Sequence, residues 1–141
     1  MCLDSITIEQ KRDRKVYCGY KVLRKWSPSD RPEFIFGLVK KYKAFTSVPT
    51  LRRWIKAAEP AYSMPYDYGF HVFLNLEDAL AYQREFSKSY VYLVECRGLV
   101  AKGTQNIKIP QTTSLKPAEC IVVKEIKINS MISKPDVDVT T

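Results

Sequence analysis

The chain contains a single histidine, His71, and this limits the chemistry that its side chains can perform. A zinc site built mainly from histidines is excluded, and a Ser-His-Asp triad would have to use His71 as its base. The sequence has no G-x-S-x-G, H-E-x-x-H, G-x-G-x-x-G or G-x-x-x-x-G-K-S/T motif. His71 lies between Phe70 and Val72 in an apolar run, where a histidine is more often structural than catalytic. We therefore expect a hydrogen-bonded structural histidine.

The four cysteines form neither a metal motif nor a redox motif. Cys2, Cys18, Cys96 and Cys120 are far apart in the chain, and no two of them have a C-x-x-C spacing. Three of them lie in predicted strands, where a thiol packs as a small apolar group. We expect reduced structural cysteines and no bound metal.

The positive charge is concentrated in the first part of the chain. Residues 1–60 hold 14 Lys or Arg beside 6 Asp or Glu, whereas the remaining residues hold 9 of each kind. A basic half attracts nucleic acid, a nucleotide or an acidic protein, but a solvated basic face that only aids solubility explains the same bias. The candidate contacts are Lys40, Lys41, Lys43, Arg52, Arg53 and Lys56. They flank Tyr42 and Trp54, and aromatic rings beside cations suit single-stranded nucleic acid, although both rings also fit the core face of a helix.

The length and hydropathy of the chain predict one soluble domain. No apolar run approaches the length of a membrane span, and the N-terminus lacks the apolar segment of a signal peptide. We expect a cytoplasmic protein that does not contact a membrane. The domain is placed at residues 1–133, and residues 134–141 are expected to form a flexible polar tail.

The stretch around His71 predicts a strand, a helix and a second strand. Phe70–Leu74 is an apolar run of strand length, and Asn75 with Asp78 resembles a capping box. Apolar residues at helical spacing then extend the helix to Phe86. Tyr90–Val94 is nearly all apolar, as is typical of a buried strand.

The other predicted elements are mostly strands. Val16–Leu23 is rich in β-formers, and Gly19 in its middle indicates a bulge or a close approach of another backbone or a ligand. The remaining predictions are an edge strand at Ile6 and Ile8, a helix-or-strand segment at residues 33–45, a helix at Leu51–Ala58 capped by Thr50, a turn at Lys102-Gly103, a long loop or irregular edge at Asn106–Lys116 and a strand at Glu119–Ile128. This order predicts an α+β domain with a mixed or antiparallel sheet, one main helix and a helical insert.

Several of these pieces together resemble the ADP-ribosyltransferase fold. The resemblance is carried in order by Tyr17-Cys18-Gly19-Tyr20, by Phe70-His71-Val72-Phe73, by Ala79 and Tyr82 on the helix, and by Glu119 at the start of the last strand. Tyr17 and Gly19 match the first motif of the family, whereas Cys18 stands where the family has a histidine and Tyr20 where it has a small hydroxyl residue. The order of Y-K-V-L, G-F-H and K-G-T also resembles small proteins of bacteria and their phages.

The resemblance implies a function. It implies that NAD or a related nucleotide binds against Tyr17, Cys18, Gly19, Phe70 and His71, in a cleft floored by the two strands that carry them. Tyr82 would stack on nicotinamide, and Glu119 would hold a ribose hydroxyl while ADP-ribose is transferred to a protein or nucleic acid. The alternative is a non-catalytic binding module, of a bacterial or phage counter-defence type, that uses the basic half to hold an acidic partner.

Overall fold

The structure is a computed structural model of the chain, and it describes residues 3, 5–9, 15–25, 27, 32–34, 51–57 and 69–135. Several sequence predictions lie outside these residues. They are Thr50 as a helix cap, Lys40, Lys41, Lys43 and Tyr42 as contacts, most of the helix-or-strand segment, and the tail beyond residue 135.

Strands dominate the described part of the chain, and one helix packs on them. The elements are β1 (Ser5–Glu9), β2 (Tyr17–Arg24), β3 (Glu33–Phe34), β4 (Trp54–Lys56), β5 (Phe70–Phe73), α1 (Leu76–Gln83), β6 (Ser89–Lys108) and β7 (Leu115–Ser133). All seven strands belong to one sheet, and every ladder between them is antiparallel. The predicted α+β class is confirmed, with the sheet in its antiparallel form.

The longest ladder joins β6 to β7 and corrects two predictions. Lys102-Gly103 is not a turn, because both residues are paired within this ladder. Five of the eleven residues of Asn106–Lys116, predicted as a loop or irregular edge, are also paired, and the loop is limited to residues 109–114, where the Ile109 N–H donates to the Ser114 carbonyl over 2.9 Å. Burial alternates through the ladder from Gly103 to Lys108, as a half-buried strand requires.

The strand pairings run in a closed circuit. β2 pairs with β6 and with β5, and both β5 and β6 pair with β7. The β2–β5 link is a single residue pair, Tyr20 with Phe73. A Cβ on Gly19 would press into the Val72 side chain and lie 2.7 Å from the Phe73 carbonyl oxygen. Gly19 therefore marks a close approach of two backbones rather than a bulge, since the β2–β6 register runs through it without a shift.

Two apolar clusters lie on opposite faces of these paired strands. The cluster under α1 contains Val22, Phe73, Ala79, Tyr82, Val91, Ile107, Ala118, Cys120 and Val122, among others. The cluster on the other face contains Leu23, Phe70, Val72, Tyr90, Tyr92, Val94, Cys96, Ile121, Ile126 and Ile128, among others. Because neighbouring residues of a strand point to opposite faces, adjacent positions such as Ile121 and Val122 serve different clusters.

The predicted helix at Leu51–Ala58 is wrong for the residues that the structure describes. Trp54–Lys56 form β4, which pairs with Lys127, Ile126 and Glu125 of β7. Ile55 packs against the cluster that contains Ile126, while Lys56 is exposed. Pairing with β7 therefore outweighs the helical spacing of the apolar residues, which is how tertiary context overrides local propensity.

The helix α1 confirms its prediction but not its capping box. Asn75 has extended backbone angles, and its side chain accepts no hydrogen bond from a backbone N–H of the first turn. The Asn75 amide instead donates to the Asp78 carboxylate over 3.4 Å. Asp78 also pairs with Lys116 of β7 at 3.1 Å, so a cross-element ion pair holds the start of the helix on the sheet. The helix ends at Gln83, three residues before the predicted end.

Candidate functional site

Strand pairing brings two of the sequence-predicted site residues, Gly19 and Glu119, to the two sides of β5, close to Phe73 of the Phe70-His71-Val72-Phe73 motif. Gly19 of β2 lies against Phe73 of β5, and the Leu74 N–H that follows donates to the Glu119 carbonyl of β7 over 3.1 Å. The Glu119 side chain is exposed. Glu119 is the fifth residue of β7 rather than the first, because the strand begins at Leu115. The chain thus gathers Gly19, Phe73 and Glu119 from three distant segments.

The first two residues of β2 differ in exposure. Tyr17 is half-buried beside the cluster that contains Cys96, its partner across the β2–β6 ladder. The Lys15 ammonium lies 5.3 Å from the centre of the Tyr17 ring. Cys18 is exposed and lies opposite Glu95. These two side chains therefore point to opposite faces of the sheet.

His71 and Phe70 are buried, as a structural role requires. Burial, with a smaller contribution from the nearby Lys21 ammonium, lowers the pKa of His71 to about 3. The Lys21 amine donates to the His71 backbone carbonyl over 2.7 Å. Burial also lowers the pKa of Lys21, to about 8. The imidazole is therefore neutral at physiological pH, beside an amine held between β2 and β5.

Tyr82 is a core residue in this structure. Its ring centre lies 5.1 Å from that of Phe73 and 4.9 Å from that of Phe86. Burial raises the pKa of its hydroxyl, with a smaller contribution from Glu85. Tyr82 shares its cluster with Cys120, so the residue before Cys120 on β7, Glu119, points to the other face of the strand. The structure does not bring the Tyr82 and Glu119 side chains into one cleft.

A second group of predicted residues lies along β4, at the edge of the sheet. The cross-strand pairs continue from β4 through β7 to β6, joining Trp54 to Lys127 and Glu95, and Lys56 to Glu125 and Arg97. Directly opposite residues share a face. We call this group, together with the adjoining Arg52 and Arg53, the basic surface; its members are Arg52, Arg53, Trp54, Lys56, Glu95, Arg97, Glu125 and Lys127.

Arg97 is the centre of the basic surface. Its guanidinium carbon lies 3.9 Å from the centre of the Trp54 ring, which is close stacking contact. The same guanidinium donates to both Glu125 carboxylate oxygens, over 2.9 and 3.2 Å. Lys127 pairs more loosely with Glu95, at 3.6 Å. Glu125 therefore positions Arg97 and Glu95 positions Lys127, and both cations stay partly exposed.

The basic surface keeps an excess of positive charge. It carries five cations against two carboxylates, and Arg52 and Arg53 are exposed and form no ion pair with any described residue. Arg52 adopts a left-handed backbone conformation, with φ at 62°, and its N–H donates to the Ile128 carbonyl over 2.7 Å. This bond fixes the backbone of the two arginines at the β7 edge.

Sequence reasoning identified one side of this surface and missed the other. Arg52, Arg53 and Lys56 were predicted contacts, whereas Arg97 and Lys127 reach Trp54 only through the pairing of β4, β7 and β6. No local signal in the sequence indicates that pairing.

Among the described residues, no group of three or more His, Cys, Asp or Glu side chains is placed to hold a metal ion. Within the same residues, no helix has the length and apolar composition needed to cross a membrane.

Comparison of the chain with protein-family models, curated proteins and solved structures finds no match.

Proposed function

We propose that the protein is a non-catalytic binding module that holds single-stranded nucleic acid on its basic surface. The observation that carries this proposal is the Arg97 guanidinium stacked 3.9 Å from the Trp54 ring among exposed cations. A base stacks on such a platform whatever its identity, because every base has a π-face. The exposed guanidinium groups of Arg52 and Arg53 then bind the phosphates on either side.

The geometry favours a single strand over a duplex. The platform lies on three neighbouring strands, which together span about 10 Å. That width suits a few unstacked nucleotides, whereas a duplex keeps its bases inside and offers only phosphates to an open sheet. We therefore expect an oligothymidylate to bind more tightly than a duplex of equal length.

Fluorescence anisotropy with a labelled oligothymidylate at low ionic strength tests this proposal. Trp54→Ala should weaken binding by about tenfold or more, since stacking on one aromatic ring is worth about 1–3 kcal/mol. Trp54→Phe keeps a ring and should retain most of the affinity. The matched control is Lys102→Ala, five residues from Arg97 along β6 and hence about 17 Å away.

Salt dependence separates phosphate contacts from stacking. Replacing Arg52 and Arg53 together by Ala should reduce the slope of log affinity against log salt by about 1.4, because each phosphate contact on a single strand contributes about 0.7. Trp54→Ala should leave that slope unchanged. Binding that is insensitive to salt, or equal in wild type and the double arginine variant, contradicts the proposal.

A second candidate function is the ADP-ribosyltransferase activity that the sequence resemblance implies. The adjacency of Gly19, Phe73 and the exposed Glu119 on neighbouring strands favours it. NAD would then lie on β2 and β5 with Glu119 at its ribose. Glu119→Gln should abolish transfer of ADP-ribose and leave the melting temperature unchanged, and full activity in that variant contradicts the assignment.

A further inference from the structure

A cavity of about 730 Å³ separates the end of α1 from the turn between β6 and β7. The helix side is lined by Ala81, Arg84 and Glu85, and the turn side by Lys108, Pro110 and Gln111. The volume lies within the range of small-molecule sites and far exceeds that of a bare ion. None of the residues in the basic surface or in the ADP-ribosyltransferase hypothesis lines it.

The charged groups of this cavity have no partners in the described part of the chain. Arg84 and Lys108 both line the cavity, are exposed, and form no ion pair with any described residue. Glu85 is equally without an ion pair, since consecutive residues at a helix end do not face each other. Lys116 on the same hairpin differs from Arg84 and Lys108, because it forms an ion pair with Asp78 at 3.1 Å.

Hydrogen bonds hold both walls of the cavity in place. The Ser89 hydroxyl shares its single proton between the carbonyls of Gln83 and Phe86, each 2.7 Å away, and the Gln83 amide donates to the Ser89 carbonyl over 2.9 Å. On the opposite wall, the Thr112 hydroxyl donates to the Ile109 carbonyl over 2.9 Å. The backbones that carry the two cations are therefore held in place, which lowers the entropic cost of binding a ligand.

We propose that this cavity binds a small phosphorylated sugar. A phosphate between Arg84 and Lys108 receives one guanidinium fork and one ammonium, which are the two side chains best suited to it. The space that remains holds the sugar, whose hydroxyl groups donate to the Glu85 carboxylate and bind the Gln111 amide. Ala81 and Pro110 supply apolar contact for the carbon face of the ring.

The probe is ribose 5-phosphate, with ribose as the neutral comparison, measured by thermal shift and by titration calorimetry. A ligand that binds only the folded chain raises its melting temperature, and we expect a rise of about 3 °C at saturating ribose 5-phosphate and none with ribose. Arg84→Ala and Lys108→Ala should each weaken binding by about tenfold or more, as expected for a lost charge-assisted hydrogen bond.

Lys102→Ala is the control, because Lys102 lies six residues from Lys108 on β6, about 20 Å away. It should bind ribose 5-phosphate as the wild type does. Both cavity cations are exposed, so their variants should keep the melting temperature of the wild type without ligand. The proposal is overturned by an absence of heat and thermal shift with ribose 5-phosphate, by equal responses to ribose, or by full binding in the Arg84→Ala, Lys108→Ala double variant.

Discussion

Acidification should destabilise this protein through one residue. The unfolded chain takes up a proton on His71 near pH 6.5, whereas burial keeps the folded imidazole neutral down to about pH 3. Between these pH values the unfolded state binds more protons than the folded state, so the free energy of unfolding falls as the pH is lowered. Each pH unit below 6.5 removes about 1.4 kcal/mol, which makes the loss at pH 4 about 3 kcal/mol. That is a large part of the stability of an ordinary domain.

Urea denaturation at pH 7, 6, 5 and 4 measures this effect, with His71→Gln as the comparison. The variant lacks the titrating group, so the difference between the two pH profiles isolates His71 from the carboxylates. We expect wild type to lose about 3 kcal/mol more than the variant between pH 7 and pH 4.

A second measurement needs no variant. Because the chain has one histidine, its imidazole C2 proton gives a single resonance that can be followed during a pH titration. In folded protein this resonance should stay at the neutral position down to at least pH 5. A midpoint near 6.5 in protein that is still folded would refute the burial argument, as would parallel stability profiles for wild type and His71→Gln.

Two further substitutions test the contact between β2 and β5. Protein surrounds the Lys21 amine although part of the side chain is exposed, and burial lowers the pKa of this amine from the ordinary 10.5 to about 8 in the folded protein. Between pH 8 and pH 10.5 the free energy of unfolding of the wild type should therefore rise relative to that of Lys21→Met. We expect a rise of at most about 3 kcal/mol in urea denaturation. Gly19→Ala should destabilise by about 2 kcal/mol or more, because its Cβ meets Val72 and the Phe73 carbonyl. Gly98→Ala, which loses a left-handed glycine at φ 75°, should destabilise by about 1 kcal/mol in the same assay, and a smaller effect at Gly19 than at Gly98 contradicts the close approach.

The sequence predicts the segments whose local pattern and tertiary environment agree. Phe70–Phe73 and Leu76–Gln83 appear where predicted, because an apolar run and a helical period directly match their burial. The helix prediction for Trp54–Lys56 is wrong because these residues pair with the edge of β7, about seventy residues later in the chain. The local sequence contains the helical spacing of the apolar residues but no information on that edge.

The same reason explains the candidate sites. Arg52, Arg53 and Lys56 stand out as a local charge cluster, so their presence at the basic surface could be predicted. The partners that turn this cluster into a stacking platform, Arg97 above all, arrive by cross-strand pairing. Arg84 and Lys108 line one cavity for a similar reason, since only the docking of α1 beside the hairpin brings their segments together.

The long β6–β7 hairpin also sets an order of folding. Its ladder starts at the pair Lys108–Leu115, whose residues are close in the chain, and can extend one pair at a time to Val91–Ser133. The ladder between β1 and β6 instead joins Ser5 to Thr104, and closing so long a loop is entropically slow. We therefore expect the hairpin to form before β1 docks on it, and in a chain emerging from the ribosome β1, together with the edge of β2 that pairs with β6, must stay unpaired until most of the chain has been synthesised.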